Sequence, residues 1–316
     1  MIRGKYKGIC PLSLKRTDRK GRDMAKVFVL GSLNLDTTYY VNALPNEGET
    51  VTSLSNESAV GGKGLNQAAA VAWTGVDTGI IGAIGDDESG RQMRAALERQ
   101  KIDLSYLKTS RLPTGSAVIL VDSGAKNLIV VNGGANRDVP KMGIPFAADD
   151  WLMAQLETPV EVVMHYFARA RAGGAKTALN LSPYQTVPDE LLRLVDLLIV
   201  NEHEASELLG CQIKNAEDAC GTVDVLHKKG IKTAVITLGE AGAVVIDSSR
   251  TKEIKGVAVQ AVDTQGAGDA FAGVLVGNCC KGSSLMDSAE TANQIAAQCV
   301  TIAGSTIISL NAMERK

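Results

Sequence analysis

A chain of 316 residues with 45% hydrophobic content can bury a large core, and its length suits a single large α/β domain carrying an insertion. Its formal net charge of -2 gives no electrostatic reason to expect nucleic acid or an anionic membrane as partner, and no apolar run is long enough to span a bilayer. Six cysteines (Cys10, Cys211, Cys220, Cys279, Cys280, Cys299) lack the C-x-x-C spacing of a metal site, and with no secretory signal pattern they point to a reducing cytoplasm. The adjacent Cys279 and Cys280 fall late in an apolar helix and read as packing residues.

In chain order, residues 1–23 are basic and irregular (RGKYKG, KRTDRKGR) and read as a non-core leader, either a disordered arm or a misassigned start. The folded domain is expected over 24–316. Residues 27–30 (VFVL) form a short continuous apolar run, the pattern of a buried parallel strand. GSLNLD follows at its carboxyl end, the edge where open α/β sheets bind ligands, and the lack of G-x-G-x-x-G there argues against a dinucleotide fold. Asn34 and Asp36 stand two apart and share one side if extended. Asp36 reads either as an acceptor for two neighbouring sugar hydroxyls or as a loop residue capping a turn. Residues 37–60 alternate as β structure broken by a Pro-Asn-Glu-Gly turn, and residues 114–131 read as a second hairpin.

Gly61 and Gly62 open a helix running through residue 72. Their exposed N–H groups suit sugar oxygens and Lys63 and Asn66 add donors, although a ligand-free glycine hinge fits the same residues. Strand 78–84, helix 89–100 and strand 104–107 continue the alternation, with Gly85, Asp86 and Asp87 as a structural turn. Strand 151–156 ends at Glu157, a sugar contact or a plain cap before a helix beginning near Pro159. Helix 160–172, strand 177–180, helix 189–195 and strand 197–200 repeat the βα rhythm. Asn201 and Glu204 follow in NEHE, where acids at a helix start are favoured by the dipole in any case. His203 fits no metal spacing with His165 or His227. Residues 234–237 form a strand and 238–242 a turn.

Residues 262–273 (VDTQGAGDAFAG) organise the chain. Before them, residues 256–262 alternate as a strand does; after them, Ala270, Phe271, Val274 and Leu275 recur at helical spacing. The glycines therefore sit in a tight strand-to-helix turn. The N–H groups of Gly266, Ala267, Gly268 and Asp269 are unpaired donors at the positive end of a helix, a site for phosphate. A carboxylate at Asp269 would repel a merely bound phosphate. It fits a base that takes a proton from an attacking hydroxyl, although a first-turn acid favoured by the dipole is the plainer account.

This segment resembles the DTxGAGD signature of the ribokinase-like carbohydrate kinases, and GGKGLNQA at residues 61–68 matches the second signature of that family, GGKGxNQA. The resemblance runs from about residue 26 to 304 and is closest to the ribokinases. It implies a three-layer α/β domain, a mostly parallel sheet flanked by helices, with a small β-sheet lid from about 37–60 and 110–134. It implies that Asn34, Asp36, Gly62, Lys63, Asn66 and Glu157 hold the sugar. By the same resemblance Asn201 and Glu204 hold a magnesium–phosphate network, and Thr237, Gly239 and Asn293 line the nucleotide pocket. Backbone carbonyls near Asp263, Gln265, Cys299 and Gly304 would ring a monovalent cation, potassium. Two departures stand out: residues 136–150 are shorter than in ribokinases and carry Pro140 and Pro145 where those have a helix, and the segment after Gly304 is brief.

The expectation is an ATP-dependent kinase acting on a sugar hydroxymethyl group, ribose first, with magnesium and a monovalent cation, as a cytoplasmic homodimer paired through the lid. A kinase of another sugar or of a nucleoside, and a non-catalytic sugar-binding regulator, are the alternatives.

Overall fold

The computed structural model describes residues 25–309 apart from Ala125, Ser249 and Ser305; the expected leader lies outside them. Short β-branched runs bounded by turn residues form the strands: β1 (Lys26–Leu30), β2 (Asn34–Tyr40), β3 (Ser55–Gly61), β4 (Asp77–Gly85), β5 (Asp103–Ser110), β6 (Gly115–Val121), β7 (Asn127–Asn132), β8 (Trp151–Ala154), β9 (Lys176–Asn180), β10 (Leu197–Asn201), β11 (Ala234–Thr237), β12 (Gly242–Ile246) and β13 (Thr251–Lys255). The helices are α1 (Lys63–Trp73), α2 (Glu88–Arg99), α3 (Val160–Ala172), α4 (Asp189–Leu192), α5 (Glu202–Leu209), α6 (Ala216–Cys220), α7 (Val223–Lys228), α8 (Ala267–Cys280) and α9 (Leu285–Cys299).

Nine strands make one sheet in the order β13-β12-β11-β10-β9-β8-β1-β4-β5. From β5 to β11 neighbouring strands run parallel, and β12 and β13 close one edge antiparallel. Alternate residues of a strand face opposite sides, so this sheet needs cover on both. Val27 and Val29 join a core with Leu65 of α1, Phe271 of α8 and Ala292 of α9, while Phe28 and Leu30 join another with Phe167 of α3 and Leu208 of α5. The result is the expected three-layer domain. Among the described residues no helix is long and apolar enough to cross a membrane.

A separate four-stranded sheet, β3-β2-β6-β7, is the expected lid. It starts at Asn34 rather than residue 37, so Asn34 and Asp36 belong to its first strand and not to a loop. Ser110 stays in the large sheet, paired with Gly85.

Three sequence-based expectations need correction. Residues 256–262 are not a strand, although their apolar residues alternate. The ladder ends at Lys255 opposite Gly242, the Gly256 N–H turns to the Ala241 carbonyl at 3.0 Å, and Val257, Val259 and Val262 stay exposed. The helix expected over 189–195 is one turn, Asp189–Leu192. The 238–242 turn leads into β12, whose buried GAVVI run was not read as a strand. The proline-bearing stretch 136–150 contains only the end of a 3-10 turn, Gly134–Asp138, in keeping with its prolines.

Helices α1 and α8 pack unusually close because Gly273 has no side chain. A Cβ there would lie 2.5 Å from Ala70 Cβ and 2.6 Å from the Gln67 carbonyl oxygen. This contact brings the start of α1, with its glycine motif, against the start of α8, with the other.

Candidate active site

The carboxyl ends of the parallel strands open onto one edge of the large sheet, where α1 and α8 begin and the lid stands over them. Gly266 is the N-cap of α8, with φ 92°, a left-handed conformation that glycine adopts without strain, and no side chain caps the helix. A Cβ on Gly268 would meet nothing within 4 Å. The Ala267 N–H, expected to be unpaired, turns back to the Thr264 carbonyl at 3.4 Å, which leaves the start of α8 to offer the N–H groups of Gly266, Gly268 and Asp269 to an anion.

Asp269 sits in the first turn of this helix and is buried. Its Oδ2 accepts from Asn66 Nδ2 at 3.2 Å, its Oδ1 accepts from Gln67 Nε2 at 2.8 Å, and Lys63 Nζ lies 4.0 Å from Oδ1. Burial alone would lower the Lys63 ammonium pKa. Asp269, Glu157 and Glu204 outweigh it and hold that pKa above the usual lysine range, so Lys63 is a fixed positive charge between acids. A buried carboxylate beside free helix-start amides can accept a proton from a hydroxyl held over them.

Across the cleft, Asp36 projects from β2. Burial, then the Glu157 and Asp269 carboxylates, push its carboxyl up to about 7. Its Oδ1 is buried without a hydrogen-bond partner, as is Asn66 Oδ1. Two orphan acceptors on opposing elements call for a ligand rich in hydroxyl donors. Glu157, just past β8, accepts from the Ser32 hydroxyl and from the Lys63 N–H at 3.3 Å, so it holds the start of α1 in place. Asn34 is buried, and its Oδ1 accepts from Asn136 Nδ2 at 2.7 Å; it ties β2 to the 3-10 turn. Gly62 precedes α1 as its N-cap.

Asn201 and Glu204 form a reciprocal capping box at α5, with Glu204 Oε2 accepting from the Asn201 N–H at 3.0 Å and Asn201 Oδ1 from the Glu204 N–H at 2.8 Å. Glu202 and Glu204 lie in the first turn, where the dipole favours them. The capping box does not use both Glu204 oxygens. His203 is exposed beside them. Thr237 ends β11, Gly239 opens the following 3-10 turn, and Asn293 Nδ2 donates to the Lys255 carbonyl at 2.9 Å. None of these three hydrogen-bonds to the Asp269 group among the described residues.

Asp263 brings the two segments expected around a cation together. Its Oδ1 accepts from the Gln265 N–H and its Oδ2 from the Gly304 N–H, both at 2.9 Å. Cys299 is fully buried in the core, its thiol pushed up to about 11 by burial, and its carbonyl accepts from the Ile302 N–H at 3.2 Å. Its side chain is packing. Cys279 and Cys280 are partly buried at the end of α8 against the same core, as expected.

Sequence reasoning missed Gln67, Asn180, Gln155 and Ser32. Gln67 lay inside a recognised motif, beside Asn66, while Asn180 ends β9 and Gln155 follows β8, at the edge where sites form.

Residues 24–312 match the pfkB family carbohydrate kinase. The chain belongs to the pfkB family. It is a carbohydrate kinase, a phosphotransferase with an alcohol group as acceptor. This pfkB kinase is 39% identical to the ribokinase of Haemophilus influenzae over 78% of its own length and 83% of that protein. It is 35% identical to the ribokinase of Staphylococcus aureus over 85% and 91%. Its fold matches the structure of Arabidopsis thaliana ribokinase complexed with ribose and ATP at a TM-score of 0.84 and 30% identity, covering 90% of this chain and 95% of the other.

Proposed function

We propose that this enzyme transfers the γ-phosphoryl group of ATP to the hydroxymethyl oxygen of ribose, giving ribose 5-phosphate and ADP. The observation that carries the reading is Asp269, a buried carboxylate at the uncapped start of α8, facing orphan acceptors on Asp36 and Asn66. Asp36 accepts from the sugar diol, and Gly62, Lys63, Asn66 and Glu157 complete the sugar side, with Asn34 anchoring the strand that carries Asp36. The hydroxymethyl O–H gives its proton to Asp269. The new oxygen–phosphorus bond forms as the bond from the γ-phosphorus to the bridging oxygen breaks, and ADP leaves. The amides of Gly266, Gly268 and Asp269 would face the oxygens on which charge gathers, joined by that of Ala267 if it exchanges its long bond to the Thr264 carbonyl for the phosphate.

Thr237, Gly239 and Asn293 flank the nucleotide. Asn201 and the Glu204 oxygen outside the capping box would hold, through water, magnesium carried on the nucleotide phosphates, whose chemistry is to neutralise their charge. Carbonyls near Asp263, Gln265, Cys299 and Gly304 would hold potassium; the Asp263 bridge to Gly304 supports this by drawing the two segments together. ATP as substrate and free cysteines suit a cytoplasmic enzyme. The exposed apolar strand β7 suits a homodimer through the lid.

The test is ADP release measured across ribose, 2-deoxyribose, hexoses and nucleosides, each in potassium, sodium and tetramethylammonium buffers. Ribose should show the highest kcat/KM, and potassium should raise turnover. A nucleoside or hexose outperforming ribose would overturn the substrate, and equal turnover in all three cations would overturn the potassium site.

A further inference from the structure

A line of three buried amides ends on Asp269, and its polarity is set at the far end. The Ile199 carbonyl, in β10, can only accept, and Asn180 Nδ2 donates to it at 3.2 Å. Asn180 Oδ1 must then face the other way, where it accepts from Gln67 Nε2 at 2.9 Å. Gln67 Oε1 is turned outward in consequence and accepts from Gln155 Nε2 at 2.5 Å. Gln155 Oε1 has no partner, so the orientation is set from the Asn180 end alone, and Gln67 presents N–H to Asp269 Oδ1, at 2.8 Å. Gln67 and Gln155 are fully buried and Asn180 nearly so. The opposite amide orientation would set oxygen against oxygen without water to relieve it.

The two oxygens of Asp269 are therefore unequal. Oδ1 faces a donor that cannot turn away, so a proton placed there would collide with an N–H. Oδ2 has a looser partner at 3.2 Å in Asn66, which is only partly buried and whose own Oδ1 is unpartnered. We propose that Gln67 is a positioning residue that reserves Asp269 Oδ1 as a permanent acceptor, so that the proton from the sugar hydroxyl is received on Oδ2. The inference rests on the reading of Asp269 as the base. The other charged groups facing this point are Lys63 on α1 and Asp36 on β2, with Glu157 after β8 and Glu204 on α5 acting on Lys63. The substitutions below leave all of them in place.

The experiment compares Gln67→Met, which keeps length and removes the donor, with Gln67→Glu, which keeps shape and adds a competing acid, and with Asp269→Asn. Full-length enzymes are first checked for cooperative melting; if Gln67→Met does not fold, Gln67→Glu carries the test. The pH dependence of kcat is then measured at saturating ribose and ATP. Both Gln67 variants should keep KM for each substrate within about twofold, lose about tenfold or more in kcat, and show the acid limb of kcat displaced upward by roughly one pH unit or more. The displacement should be larger for Gln67→Glu. Asp269→Asn should lose at least ~10²-fold in kcat. An inactive Asp269→Asn beside folded Gln67 variants whose acid limb coincides with wild type overturns the positioning role and leaves the base in place. An active Asp269→Asn overturns the base itself.

Discussion

Asp36 is the residue whose protonation the site itself adjusts. Its carboxyl is raised to about 7 by burial and by Glu157 and Asp269, with one oxygen unpartnered. A raised carboxyl favours the neutral form, so its contribution to the stability of the ligand-free enzyme is full below the unfolded value and is lost as pH rises through about 7. In the proposed site, sugar hydroxyls would donate to the ionised form and pull the other way. Ribose binding should therefore expel a proton near neutrality, and KM for ribose should rise up to tenfold per unit as pH falls below 7 while staying flat above it. Calorimetry at pH 6.5 in buffers of different ionisation enthalpy measures the proton directly. Asp36→Asn should bind ribose more weakly and without pH dependence. A ribose KM constant from pH 6 to 8 in the wild type would remove Asp36 from the sugar site. At this scale the sequence showed which residues gather but not how their hydrogen bonds are shared. Asp36 and Asp269 announce themselves as acids beside glycine loops. That Asn34 Oδ1 is taken by Asn136, and that Gln67 is aimed by Asn180, depends on contacts between residues more than one hundred positions apart.

The elements that matter are α1 and α8, whose starts make the site only because the two helices touch at Gly273. Gly273→Ala would place a methyl 2.5 Å from Ala70 Cβ and 2.6 Å from the Gln67 carbonyl, positions that real carbon contacts do not reach. The helices must separate, at about 1–3 kcal/mol for overpacking, which at this chain length lowers the melting midpoint by several degrees. Because the displaced turn carries Gln67, turnover should fall beyond what the lost stability explains when assayed well below the transition. Differential scanning calorimetry with kinetics at 20 °C checks both; an unchanged midpoint would show that the contact is looser than described. The helix starts were legible because glycine runs next to amphipathic segments have few other uses. Residues 256–262 show the converse. Their alternation satisfied the strand pattern, but pairing needs a neighbour with free ladder groups, and the sheet edge had already been closed by β13, so the valines face water. Similarly β12, buried on both faces, has no alternation to display; its first residue was read as the end of a turn and the rest as no element.

At the scale of the whole molecule, the lid is the part the single chain leaves unfinished. Ala117 and Ile119 on β6 are buried on one face, whereas Val118 on the other face is exposed, as is its partner Val130 on β7. Leu128, Ile129 and Val131 are exposed as well, and among the described residues β7 is the sheet edge. A long apolar edge strand left in water invites pairing, and soluble proteins normally block it with lysine, proline or a bulge. β7, NLIVVN, has none of these. The proposed homodimer would cover this edge, each copy offering the other the same unprotected surface. Asp36 lies two strands away in this sheet, opposite Ala117, which itself faces Val131, so bracing the edge also braces the strand that carries the sugar acceptor. Val130→Lys together with Ile129→Lys should therefore convert a dimer to a monomer by light scattering at micromolar concentration. It should also raise KM for ribose several-fold with kcat reduced less, because the base and the anion site are built on the large sheet and α8 rather than on the lid. A wild-type enzyme that scatters as a monomer, or a double variant that remains dimeric, would rule out assembly through β7. A monomeric variant with an unchanged ribose KM would separate assembly from sugar binding.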